Sequence, residues 1–329
     1  MPIPFDPLKR WWVEASGRNP ALIDAFRPAL LAFVAFSPDR EPSVEGCGFV
    51  IAGDAQCLLA LTTKHVLFEG VLRTQRPLPR HAPSSLFVRS SSITPSIEAK
   101  NLKIVWMGTH HADMLNVGFL SSNETLDIAC IVCSPQDMAS DTLQPTSIPI
   151  DTAVPSEGDV IHMLSLDNMD ASEISPPDDR SGVGATISIT RRVSIRVGVV
   201  TGVYRGGYRQ YQWPCFTTSI PAEPGMSGGL VTLPTDGRTI SACGIVCADN
   251  SNDDARSDNH RPGESVIACT WPALALVVPD AMPSTSATPK HTLYNFMRSG
   301  RMPMADGGID HIDVTELGSG DFRIGIRKQ

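Results

Sequence analysis

The sequence predicts an all-β fold of two barrels or sandwiches, and three observations predict it. Apolar runs are short and are separated by turn residues, the pattern of strands rather than of long helices. Glycine and proline are frequent, at 26 and 27 of 329 residues, which suits many strands joined by turns. A proline-rich connection, Gln144 to Pro155, divides the chain into two halves written in the same style.

Each element follows from local chemistry. Residues 1–27 read as an N-terminal extension in which Pro20 to Phe26 forms a short helix, stopped before Pro28. The first barrel is expected over residues 28–150. Ala29 to Phe36 is the longest apolar run; it is too short to span a bilayer and reads as a buried strand from Leu30. Gly46 to Ile51 and Cys57 to Thr62 follow as strands, and the latter runs into His65. Residues 71–100 are rich in Ser, Pro and Arg and read as a surface excursion. Leu102 to Met107, Leu115 to Leu120 and Leu126 to Cys133 read as strands.

The second barrel is expected over residues 151–279. Asp159 to Leu164 is its first strand, Asp167 to Gly184 a polar loop, and Ala185 to Ser194 and Ile195 to Tyr204 the next two strands. Cys215 to Ile220, Leu230 to Leu233, Thr239 to Val246 and Ser265 to Cys269 complete it. Residues 280–329 read as a linker, a short helix at Thr292 to Ser299, and a hairpin turning at Gly318-Ser319-Gly320.

Composition excludes several functions. The net charge is -8 and aromatics are 6%, so neither a basic surface nor a base-stacking platform is present, and no nucleic-acid or membrane partner is expected. Met1 to Arg10 lacks the basic and apolar pattern of an export signal, so the protein is expected in the cytoplasm. The eight cysteines are then expected as thiols. Cys130-x-x-Cys133 and Cys243-x-x-x-Cys247 lie in apolar runs with no histidine at finger spacing, and read as core thiols rather than a zinc site. His110-His111-x-Asp113 reads as a solvated loop, because adjacent strand residues face opposite sides. Asn250 to Asp254 lacks the glycine and glutamate of a calcium loop. No metal or organic cofactor is expected.

The chemistry concentrates at Pro224-Gly225-Met226-Ser227-Gly228-Gly229-Leu230. Small residues around one serine allow a tight turn that presents its hydroxyl and aims the Gly225 and Ser227 N–H groups into one oxyanion hole. Serine needs a base, and the base needs an orienting acid. His65 ends a strand; Asp127 opens an apolar one, where a carboxylate is costly unless paired. Gly-x-Ser-x-Gly also marks the nucleophile elbow of α/β-hydrolases, but that elbow leads into a helix, and here Leu230 to Gly237 reads as strand and turn.

Thr62-x-x-His65-Val66, Asp127-Ile128-Ala129 and Gly225-x-Ser227-Gly228-Gly229 resemble, in that order, the three motifs of trypsin/chymotrypsin-like serine peptidases. Gly46 to Ile51 and Gly244 to Ala248 resemble the strands flanking those motifs. The second half is similar to the bacterial branch that includes HtrA-type peptidases, without a recognisable PDZ module. The resemblance covers roughly residues 28–278. It implies two six-stranded antiparallel barrels with the site in the cleft between them, and a triad of Ser227, His65 and Asp127 acting through an acyl-enzyme. It also implies that Pro221, Cys247, Ala248 and Asp249 line the substrate site.

Two departures matter. Met226 stands where secreted members carry an aspartate that pairs with the freed N-terminus, so that activation ion pair cannot form. Val66 replaces the cysteine after the histidine, which leaves Cys47 without its usual bridge. Both agree with a peptidase that is not a cleavage-activated zymogen. Protein or peptide is the expected substrate, and residues 280–329 the expected place for a regulatory partner or self-association. The alternative is a peptidase-shaped scaffold without turnover.

Overall fold

The computed structural model describes residues 12–16, 20–37, 40–67, 87–91, 102–108, 112–123, 126–135, 143–175, 186–209, 211–234, 239–249, 264–280, 289–318 and 321–327. Among them lie strand β1 (Trp12–Glu14) and helix α1 (Pro20–Phe26). Strands β2 (Leu30–Ser37), β3 (Arg40–Gly53), β4 (Leu58–Thr62), β5 (Phe87–Ser91), β6 (Leu102–Met107), β7 (Ala112–Asn123) and β8 (Ala129–Pro135) form the first half. Strands β9 (Val160–Ser175), β10 (Thr186–Tyr204), β11 (Cys215–Thr218), β12 (Leu230–Thr232), β13 (Gly244–Asp249) and β14 (Ser265–Cys269) form the second. After them come β15 (Val277–Pro279), β16 (Lys290–Thr292), helix α2 (Leu293–Arg298), β17 (Ile312–Gly318) and β18 (Asp321–Ile326).

Two closed antiparallel barrels result. In the first, the pairings run β2-β3-β4-β8-β7-β6 and return to β2. In the second, they run β9-β10-β11-β14-β13-β12 and return to β9. Each barrel has six strands, and both follow one topology: first, second, third, sixth, fifth, fourth. Closure leaves no open edge within either ring and seals apolar side chains inside. Phe33, Leu31, Leu58, Ile104, Trp106 and Ile131 fill the first interior. The all-β, two-barrel expectation therefore holds.

The chain departs from its expected elements at several places. Asp167 to Gly184 does not read as one polar loop: β9 continues to Ser175 and β10 starts at Thr186, pairing as a ribbon. Its polar residues fit a ladder because a two-stranded arm has no apolar face to satisfy. Thr186–Tyr204 is one strand, β10, continuous through Ser194 and Ile195 where two strands were expected, with bulges instead of a turn. Within the Ser/Pro/Arg-rich excursion, Phe87–Ser91 is a strand that joins β7 to β18. Trp12–Glu14 is a strand that adds to the edge of β10.

His110, His111, most of 71–100 and the Asn250 to Asp254 run lie outside the described residues. All eight cysteines are free, and all but Cys57 are buried. Burial pushes the Cys47 and Cys215 thiols up to about 12. Among the described residues no helix is long and apolar enough to cross a membrane.

One buried ion cluster sits outside the apolar cores. Asp167 is fully buried and accepts two hydrogen bonds from Arg192, at 2.8 and 2.7 Å, and one from Arg196 at 3.4 Å. Burial raises its pKa, but the hydrogen bonds and charge of Arg192, the Ser194 hydroxyl and the Arg196 charge outweigh it and hold the carboxyl below its usual value. A lowered carboxylate pKa stabilises the fold above the unfolded value of about 3.9, and that contribution is lost as pH falls through the folded value. Asp167→Asn is therefore expected to cost about 3 kcal/mol at pH 7. Urea unfolding should show the gap from wild type shrinking below about pH 4; an unchanged gap at pH 3 would contradict the assignment.

Candidate active site

The histidine stands where the first barrel's third strand ends. β4 closes at Thr62, and a single helical turn over 64–67 follows. That turn tilts His65 toward the chain preceding β8, where Asp127 occupies a bend two residues before the strand begins. The carboxylate binds the histidine twice. Asp127 Oδ2 is 2.7 Å from His65 Nδ1, and Oδ1 accepts the His65 backbone N–H at 3.0 Å. Lys64 N–H also donates to the Asp127 carbonyl at 3.4 Å. Asp127 needs no strand position for this; leaving the ladder frees it to grip both the ring and the backbone of one residue.

The serine comes from the second barrel, on the turn that enters β12. Its loop is clamped against the first barrel. Cys47 N–H on β3 donates to the Ser227 carbonyl at 2.8 Å. Gly228 packs so tightly there that a Cβ would lie 1.7 Å from the Cys47 carbonyl oxygen and 2.6 Å from Thr62 Oγ1. Gly228 N–H donates to Val246 at 2.8 Å, which ties the same turn to β13. Ser227 thus lies at the seam between barrels, held by both.

Met226, not an ion pair, braces the turn from within. Its side chain is fully buried. Its N–H donates to the Glu223 carbonyl at 3.0 Å, and its carbonyl accepts from Gly229 N–H at 2.9 Å. Gly225 has φ of 90° and Gly228 of 88°, conformations that favour glycine. Among the described residues neither the Gly225 nor the Ser227 N–H donates to a protein acceptor. Two backbone donors two residues apart are thus left without a backbone acceptor on one turn.

Cys247 meets the serine. β13 is bulged between Val246 and Ala248, which takes Cys247 out of the ladder with β14. Its carbonyl accepts the Ser227 hydroxyl at 3.2 Å. Its thiol donates to the Ile245 carbonyl at 3.6 Å, and burial followed by the Asp127 charge pushes its pKa well above the usual thiol value. Cys247, expected to line the substrate site, holds the Ser227 hydroxyl through its carbonyl. Ala248 and Asp249 continue β13. Pro221 lies partly buried on the approach to Ser227, and its carbonyl accepts from Arg196 Nη1 at 3.0 Å.

Of the expected site residues, His65 and Asp127 are brought into contact as one pair, and Ser227 and Cys247 as another, the Ser227 hydroxyl donating to the Cys247 carbonyl. Arg196, Glu14 and Glu223, which sequence reasoning passed over, also gather beside the serine loop. The one available signal was an arginine inside the apolar run Val193-Ser194-Ile195-Arg196-Val197. Among the described residues no group of three or more potential ligands could hold a metal ion.

No protein-family model and no curated protein matches this chain. Solved structures of a mycobacterial protease do. The active form of the Rv3671c protease from M. tuberculosis is 15% identical over 82% of this chain and 89% of its own, with a TM-score of 0.39. An inactive form is 15% identical over 78% and 89%, with a TM-score of 0.39. A mutant in the inactive form is 14% identical over 78% and 87%, with a TM-score of 0.40. The two-barrel architecture of the present chain rests on its own strand pairings.

Proposed function

We propose that the protein is a serine endopeptidase of the trypsin/chymotrypsin-like kind, related to the HtrA branch, using Ser227, His65 and Asp127. The observation that carries this reading is the double grip of Asp127 on His65, through Nδ1 and the backbone N–H. A carboxylate on Nδ1 fixes the tautomer that leaves the other ring nitrogen basic. That nitrogen takes the Ser227 proton as Oγ attacks the peptide carbonyl. The Gly225 and Ser227 N–H groups receive the developing oxyanion. His65 then protonates the leaving amine, and an acyl-enzyme remains on Oγ. Water, deprotonated by His65, hydrolyses it and restores the serine. Turnover should fall in acid as His65 takes up a proton and ceases to be a base.

Residues 28–150 and 151–279 act as the two barrel units in this reading, and the residues around Pro221 and β13 receive the peptide. Eight free thiols favour a reducing compartment, the cytoplasm. The tail over 280–329 serves as a tether or a regulatory contact, since β18 pairs with β5 on the first barrel's side and packs on the turn Trp271–Ala275 of the second half.

A second reading, a peptidase-shaped scaffold without turnover, is favoured by one observation. The Ser227 hydroxyl donates to the Cys247 carbonyl, a resting contact that has to break before proton transfer. Incubation of wild type and Ser227→Ala with unfolded protein substrates separates the two. The peptidase reading expects cleavage by wild type alone; absence of cleavage, or equal cleavage by both, would sink it.

A further inference from the structure

The segment leading into the oxyanion turn is tied to the far end of the chain. Arg196 sits on β10 with its side chain 3% exposed. A guanidinium so deeply buried needs partners for its N–H groups. Nε donates to Glu14 Oε2 at 3.2 Å, and Nη1 donates to the Pro221 carbonyl at 3.0 Å. Nη2 lies 3.4 Å from Asp167 Oδ2 and 2.8 Å from Glu223 Oε2. The Trp12 ring covers the guanidinium, 5.2 Å from its centroid.

The two outer anchors have distinct roles. Pro221 and Glu223 begin the run that ends at Ser227. Glu223 also closes the turn itself, its carbonyl accepting the Met226 N–H and its N–H lying 3.3 Å from the Met226 sulfur. On the other side, Glu14 belongs to β1, whose backbone pairs with β10 from Trp12↔Gly198 to Glu14↔Arg196. Its carboxylate is held by Ser16 and, at 3.1 Å, by the Ser194 hydroxyl. The fork of one arginine thus spans from the N-terminal strand to both anchors of the oxyanion turn.

We propose that Arg196 is a positioning residue for the oxyanion turn and that Glu14, on the N-terminal strand, sets the position of Arg196. Strand β1 thereby does from outside the barrel what an ion pair at position 226 cannot do from inside. The catalytic consequence rests on the peptidase reading; the structural coupling does not.

Arg196→Ala removes a shared partner from three carboxylates and threatens folding, so Glu14 carries the test in the full-length chain. Hydrogen–deuterium exchange over 221–229 is measured together with kcat and KM for wild type, Glu14→Ala and Glu14→Gln. Glu14→Ala should speed exchange in 221–229 by about tenfold while β13 and β14 stay unchanged, and should lower kcat by about tenfold with KM within about twofold. Glu14→Gln keeps an acceptor oxygen toward Nε and should stay within about twofold of wild type on both readouts. Unchanged exchange over 221–229 in Glu14→Ala overturns the proposal, as does a rise in KM alone. If wild type cleaves nothing and exchange still responds, the peptidase reading fails and the coupling stands. If wild type cleaves and Glu14→Ala alters neither exchange nor kcat, the coupling fails and the peptidase reading stands.

Discussion

Asp127→Asn is expected to keep the fold and lose about 10⁴-fold in kcat. The geometry explains why so small a change costs so much. Both carboxylate oxygens are committed to one residue: Oδ1 accepts the His65 backbone N–H, and Oδ2 meets Nδ1. An asparagine has one acceptor and one donor to place in the same two positions. If its oxygen stays on the backbone N–H, its amide NH2 faces Nδ1. The ring must then accept there and carry its proton on the other nitrogen, which is no longer a base toward Ser227. If the amide is reversed, the backbone N–H of His65 meets an NH2 group and the helical turn over 64–67 is pushed off its anchor. Thermal melting should shift little in the first arrangement, so kcat and melting temperature measured together decide the matter. A variant within tenfold of wild type in kcat would show that Asp127 does not orient the base.

Gly228→Ala should be the most damaging added methyl among the described glycines. Three constraints coincide at this residue: a φ of 88°, a Cys47 carbonyl oxygen 1.7 Å from the added carbon, and Thr62 Oγ1 at 2.6 Å. None is a flexible chain end, because Thr62 Oγ1 is already bound to that same carbonyl at 2.7 Å. The turn would have to leave β3, giving up the Cys47 to Ser227 hydrogen bond that joins the barrels. A loss of about 4 kcal/mol or more is expected, or no folded protein at all. Gly300→Ala is the control. Its φ of 73° carries the same backbone strain, but nothing lies within 4 Å of the added carbon, and a cost of about 1 kcal/mol is expected. Urea unfolding of both variants separates crowding from strain; equal losses would deny the close approach of the two barrels at the serine.

Much of this architecture is legible in the sequence where local pattern and burial agree. The apolar runs at Leu30, Leu102 and Ser265 are strands because each is flanked by turn residues and each fills a barrel interior. The histidine and the aspartate stand out because each lies at the boundary of such a run. What escapes is long-range or polar. The 3.2 Å contact of Arg196 with Glu14 bridges 182 positions, and no local pattern announces it. The arm formed by β9 and β10 reads as a loop because its residues are polar, and only pairing makes them strands. The Cys247 carbonyl matters through a bulge in β13, a backbone irregularity that the residue types do not encode. Met226 is the intermediate case. Its identity excludes an internal ion pair, and the structure adds what replaces it: a buried side chain, two backbone bonds, and an arginine fork anchored outside the loop.

Whether Ser227 is a nucleophile activated by His65 is decided by covalent labelling with a fluorophosphonate. Wild type, Ser227→Ala and His65→Ala are incubated with the reagent, and the modified residue is located by peptide mass spectrometry. One adduct per chain is expected, on Ser227 Oγ, absent in Ser227→Ala and slowed by about 10³-fold or more in His65→Ala. No adduct on folded wild type, an adduct on another residue, or labelling of Ser227 at an equal rate without His65 would contradict it.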